Sequence, residues 1–241
     1  MIDIPIDEKK KSEFQERLVN LFLRLNGYLQ SGFIPHSEEW GNAGTDVDRI
    51  AVKFPLHSQK TRKVSFSTAL DVPDESIDII IAEVKNTSLT FNKSISKKDK
   101  RAELNWSQIL NWIGLFKEDK ITELTAQLIE IVNKQCENEN GSFPKVEHTN
   151  QFGKITIRPI LFSIGKEKTD GSTKKWINGE EILSYLWKCF CPEINREECS
   201  TRYPFTLWGT EYNDIVEYIK ARHKSGFEIG TLEEMYSELI K

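Results

Sequence analysis

Apolar residues recur at helical spacing in SEFQERLVNLFLRLNGY, where Phe14, Leu18, Leu21, Phe22 and Leu25 fall on one face. Ser12 is the N-cap this pattern predicts, and Gly27 fits the stop. The following stretch, GYLQSGFIPHSEEW, reads as extended or irregular. From Asp48 to Phe54 the period shortens to two: Asp48, Ile50, Val52 and Phe54 share one face, and Arg49, Ala51 and Lys53 share the other. A polar connection, with a short strand expected around Val64 to Phe66, leads to residues 77–84. There a nearly continuous β-branched run marks a strand buried on both faces. Helical patterns follow at 103–116 and 120–134, then a polar loop, then KITIRPILFSIG, a strand whose Pro159 limits how central its first half can be. After Lys175 the texture becomes helical, in NGEEILSYLWKCF, NDIVEYIKARHK and LEEMYSELIK.

The order helix, strands, helices, strand, helices predicts an α/β fold with a central mixed sheet flanked by helices and a C-terminal helical region. Residues 1–175 form the expected core, and 176–241 the expected helical extension packed on it. At 241 residues, 38% hydrophobic and 29% charged, the chain has the composition of a folded soluble protein. No apolar run approaches the roughly 18 to 20 residues of a membrane span, so no membrane partner is expected. The N-terminal MIDIPIDEKKKSEF lacks a signal-peptide h-region, which makes the cytoplasm the expected compartment.

A net charge of −4 excludes a globally basic nucleic-acid binder but leaves room for local patches. KSISKKDKR, residues 93–101, holds five basic residues and one acid; Lys97, Lys98, Lys100 and Arg101 are its candidates for substrate contact. KEKTDGSTKK, residues 166–175, is a second basic stretch, and a solvated loop is the alternative for both. Among the tryptophans, Trp40 is the candidate for substrate contact, because it lies in a polar loop before the Asp48 strand. Cys136, Cys189, Cys191 and Cys199 fit reduced thiols. Cys189, Cys191 and Cys199 also raise a zinc reading, which their spacing does not favour.

Two strand ends carry the chemistry. Glu83 and Lys85, two apart at the close of the β-branched run, point to one face while Val84 points away. Asp48 opens another strand. If those strands are neighbours, Asp48, Glu83 and the Val84 carbonyl form an oxygen-rich site suited to Mg²⁺, or Mn²⁺ in its place. Lys85 stands beside it, able to orient a water and to stabilise charge on a phosphate. Asp46 is a rival ligand by period two. The alternatives are a surface ion pair for Glu83 and Lys85, worth at most about 1 kcal/mol, and turn formation for Asp46 and Asp48 after Gly44.

GTDVDRIAV and IIIAEVKN, after a helix containing ERLVNLFLRLNGY, resemble the PD-(D/E)XK nuclease superfamily of restriction endonucleases, Holliday-junction resolvases and repair nucleases. Asp48 resembles the metal-binding aspartate of that family, and Glu83 and Lys85 its E-x-K pair. Glu16 resembles the glutamate of its first helix. Gln108 sits in the helix after E-x-K, where some members carry a glutamine. The resemblance covers residues 12–116; no proline precedes Asp48, and the 34 residues between Asp48 and Glu83 exceed the spacing of compact members. It implies a restriction-endonuclease-like fold and Mg²⁺-dependent hydrolysis of phosphodiesters, with DNA rather than RNA as partner, in repair, restriction or defence. Within it Asp48, Glu83, Lys85 and Glu16 are catalytic, and Asp48, Glu83 and Val84 hold the metal. Lys97, Lys98, Lys100, Arg101 and Gln108 meet the substrate. Two rivals stay open: a non-catalytic DNA-binding or assembly subunit of the same fold, and an unrelated α/β interaction protein. The C-terminal region is where a homodimer or partner-protein contact is expected.

Overall fold

A computed structural model describes residues 7–35, 47–58, 63–134, 142–168, 174–193 and 204–240. Helix α1, Glu8–Leu25, begins before the expected Ser12. Asp7 caps it instead, its side chain accepting the Lys9 N–H at 2.9 Å, so Ser12 lies inside the helix and faces solvent. Gly27, in the left-handed region at φ +85°, turns the chain out; a Cβ there would also meet the His57 ring at 2.6 Å.

Strand β1, Leu29–Phe33, then pairs antiparallel with β2, Val47–Lys53, and β2 pairs antiparallel with β3, Ile77–Lys85. No strand forms around Val64 to Phe66. The neighbouring backbone is used elsewhere: the Ser65 carbonyl accepts from the Tyr185 hydroxyl and the Ser67 N–H donates to the Asn26 side chain. The chain then makes a short 3-10 turn at Thr68–Leu70.

After β3 come α2, Lys93–Ser96, α3, Lys100–Ile113, and α4, Glu118–Asn133. Helix α3 begins earlier than the apolar period indicates because the Asp99 carboxylate accepts the N–H groups of Arg101 and Ala102, and it stops at Gly114, φ +71°. These helices provide the long connection that a parallel pairing needs. Strands β4, Val146–Asn150, and β5, Gly153–Ser163, form a hairpin, and β5 lies parallel to β3. The sheet order is β1-β2-β3-β5-β4. Pro159 lies two residues beyond Ile157, the last β5 residue that β4 pairs, where a missing N–H is tolerated. Among the described residues, helices α5, Gly179–Phe190, α6, Asn213–Lys224, and α7, Leu232–Leu239, follow.

The sheet separates two cores. One contains Ile77, Ile79, Ile81, Ile155, Ile157 and Leu161 with residues of α3 and α4. The other contains Ile80, Ala82, Ile160 and Phe162 with residues of α1, α5, α6 and α7. Strand β3 therefore buries both faces, as its unbroken apolar run predicts. It also buries charge at its start. Asp78 is held by Arg158 of β5 through Nε at 2.9 Å and Nη2 at 2.5 Å, and the Tyr28 hydroxyl donates to it at 2.5 Å. Arg158 Nη1 donates to the Leu70 and Asp71 carbonyls and Nη2 to the Tyr28 hydroxyl, so the buried pair is embedded in further hydrogen bonds.

Candidate active site

The β2–β3 ladder runs from Lys53 opposite Asp78 to Arg49 opposite Ala82, and one step further along the two strands stand Asp48 and Glu83. The other edge of β2 is irregular there. Ser31 pairs Ile50 but Phe33 pairs Val47, so Gly32 of β1 faces two residues, Asp48 and Arg49. This is a β-bulge with its extra residue on β2. It breaks the strict alternation that the sequence predicts: Val47 and Ile50, three apart, both enter the core beneath α3 and α4.

The bulge sets two side chains. Arg49 turns toward α1, its Nε donating to Asn20 Oδ1 at 2.6 Å and its Nη1 to the Asp48 carbonyl at 2.7 Å. Asp48 turns toward β3, where Oδ2 accepts the Val84 N–H at 2.6 Å. A side-chain carboxylate thus occupies the position from which a partner strand would normally satisfy that donor. Val84 lies between the two remaining site residues. Glu83 is 3% exposed, and the Lys85 ammonium sits 2.5 Å from its Oε1. The period-two reading of Glu83 and Lys85 holds, and the ion pair is what makes a buried carboxylate tolerable. Asp48, Glu83 and Lys85 are gathered at one end of β2 and β3.

Helix α1 flanks this end. Half-buried Glu16 lies between Gln15, whose amide bonds Asn86 just past β3, and Asn20, which receives Arg49. The basic run spans α2 and the first turn of α3. Lys97 is 3.4 Å from Asp99 and Lys98 is 2.5 Å from Glu130 of α4, while Lys100 and Arg101 are exposed in the first turn of α3. Gln108 is half-buried on α3, and Trp112, a turn further on, is 60% exposed with its ring stacked on Phe33 at 5.0 Å. Trp40 and Asp46 lie outside the described residues, as do Cys136 and Cys199.

Among the described residues no group of three or more histidine, cysteine, aspartate and glutamate side chains is placed to hold a metal. The donors gathered here are two carboxylates and a strand carbonyl, all hard oxygen. That set fits Mg²⁺, which is commonly bound through one or two carboxylates and completes its shell with water and substrate phosphate. It does not suit a thiophilic ion. Cys189 and Cys191 are buried, and burial pushes the Cys191 thiol up to about 12, while its Sγ lies 3.7 Å from the Ile219 carbonyl. Both thiols are packed in the core that α5 and α6 share.

Gln15, Asn86 and Arg49 carry no functional role in the motifs of the sequence. Gln15 did leave a signal: it shares the i, i+3, i+4, i+7 stripe with Leu18, Val19 and Phe22, and a polar side chain on an apolar stripe needs a buried partner. Comparison with protein-family models, curated proteins and solved structures returned no match.

Proposed function

We propose that this chain is a Mg²⁺-dependent nuclease of restriction-endonuclease-like fold, hydrolysing phosphodiester bonds of DNA rather than RNA. One observation carries the reading: the bulged end of β2 places Asp48 on the backbone of Val84, between Glu83 and Lys85. A helix, a strand opening at an aspartate and a neighbouring strand closing on E-x-K are the pattern of the PD-(D/E)XK resemblance. These elements meet in space here, although they are far apart in the chain.

Asp48, Glu83 and the Val84 carbonyl are the groups that hold the ion. Bound Mg²⁺, or Mn²⁺ in its place, supplies Lewis-acid polarisation of the phosphate and offsets the charge of the two carboxylates. The Val84 N–H fixes the Asp48 carboxylate in one orientation. Lys85 offers N–H donors to the attacking water and to a non-bridging phosphate oxygen, where negative charge grows as the water adds to phosphorus. Glu16 acts through the water network on the α1 side. Lys97, Lys98, Lys100, Arg101 and Gln108 form the surface toward which the DNA backbone is drawn. The setting is repair, restriction or defence.

Glu83 is already covered by an ammonium, an arrangement that also suits a nuclease-fold subunit that binds DNA without cutting it. Incubating purified protein and Mg²⁺ with linear duplex, single-stranded DNA and RNA separates the two. Cleavage of a DNA form is expected. Binding without cleavage selects the subunit, and neither binding nor cleavage removes the nucleic-acid reading altogether.

A further inference from the structure

Three segments remote in sequence meet behind the candidate strand end. Gln15 of α1 is 2% exposed, and its amide divides its two N–H bonds between Asn86 Oδ1 at 3.0 Å and the Tyr236 hydroxyl of α7 at 2.9 Å. Asn86 is the residue after Lys85. Its carbonyl accepts the Gly165 N–H at 2.7 Å, and the Lys85 carbonyl accepts the Ile164 N–H at 2.9 Å. Gly165 is pressed against the same side chain, since a Cβ there would stand 2.7 Å from Asn86 Oδ1. On the far side, Tyr236 packs edge-on against Phe14, with ring centroids 5.7 Å apart. Helix α7 is seated closely, for a Cβ on Gly179 would collide with the Leu232 side chain.

A leucine at position 15 would continue the apolar stripe of α1 without the desolvation that a buried amide incurs. Retaining glutamine gives up packing free energy, and what it secures is the direction in which the chain leaves β3. We propose that Gln15 is a positioning residue: it clamps Asn86 to Tyr236 and thereby makes the C-terminal helix α7 part of the framework that orients Lys85 and Glu83. The inference rests on the nuclease reading for its consequence, but the clamp itself is a property of the fold. Lys85 is the residue most exposed to its loss, because it is joined to Asn86 by one peptide bond and works through a flexible four-carbon stem. Displacements near 1 Å at such a group reduce rates by about tenfold to a hundredfold.

Three variants reach the clamp from different sides: Gln15→Met, which keeps volume and removes the amide, Tyr236→Phe, which removes one hydroxyl, and Gly165→Ala, which pushes on Asn86. Two readouts are made on each full-length protein. Amide hydrogen exchange should speed up at Ile164 and Gly165 while the amides of Ile155 and Ile157 keep wild-type protection. Single-turnover cleavage of the DNA form cut by wild type should fall by about tenfold or more, with KM within twofold, and Tyr236→Phe should show the smallest loss. If exchange at Ile164 and Gly165 is unchanged in Gln15→Met and Tyr236→Phe, the clamp does not exist. If exchange rises but cleavage proceeds at the wild-type rate, the clamp does not position the site. Wild type that cuts no nucleic acid overturns the nuclease reading, and with it the clamp's catalytic consequence, while the exchange measurement still decides the clamp.

Discussion

At the scale of single residues, β3 buries a carboxylate near each of its ends and treats the two differently. Asp78 is fully enclosed and faces a guanidinium that is itself hydrogen-bonded to two backbone carbonyls. Glu83 is equally buried but meets a lysine whose side chain keeps about a third of its exposure, so the charge that neutralises it can move. The first arrangement is a fixed structural pair, and the second leaves a cation position at the edge of solvent. Lys85→Ala leaves the buried Glu83 carboxylate without that ammonium, so its thermal midpoint should fall when no divalent cation is present and recover toward wild type when Mg²⁺ is added. Mg²⁺-dependent cleavage should still fall on the order of a hundredfold with the cation present. Cleavage at the wild-type rate would show that the ammonium is there for Glu83 alone. Glu83 and Lys85 were legible in the sequence because a period of two is local. The clamp on Asn86 was not, since Gln15 lies 71 residues from Asn86 and 221 from Tyr236 along the chain.

At the scale of elements, the bulge is the feature that turns a strand into a site. Asp48 was readable as the opening of a strand, but its direction depends on where β1 changes register, and register is set by pairing that no local pattern reveals. Strand β1 itself, with Ser31 and Gly32 in its middle, has too weak a strand pattern to separate from irregular chain. The Asp78–Arg158 pair was equally invisible, joining residues 80 apart. Asp78→Asn should destabilise the fold by about 3 to 5 kcal/mol in urea unfolding, because it leaves a buried guanidinium uncompensated. A loss below about 1 kcal/mol would mean that water or another group reaches Arg158. The α2–α3 segment makes a separate claim. Replacing Lys97, Lys98, Lys100 and Arg101 together with alanine should weaken DNA binding and flatten the slope of log affinity against log salt, by about one unit for each phosphate contact removed. An unaltered slope returns the run to a solvated surface.

At the scale of the whole molecule, the C-terminal helices share one core with α1 and the inner face of the sheet, where Leu186, Ile215, Ile219 and Met235 join Phe22, Ile80 and Phe162. A chain ending at residue 175 would expose that face, and it should lose cooperative thermal unfolding rather than persist as a folded nuclease core. A sharp transition in that truncated protein would show that residues 176–241 are dispensable for the core. The change of texture after Lys175 was legible, and so was the mixed α/β class, because helix and strand periods are read a few residues at a time. The shared core was not, since it depends on faces that meet only in three dimensions. If Asp48 and Glu83 hold one divalent ion for phosphodiester hydrolysis, then titrating Mn²⁺ into wild type and Asp48→Ala in a calorimeter, with DNA cleavage assayed on the same samples, has a definite outcome. Wild type should bind Mn²⁺ and cut, and Asp48→Ala should do neither while unfolding within a few degrees of wild type. Cleavage that survives in Asp48→Ala, or wild type that takes up no divalent ion, would contradict that role of the two carboxylates.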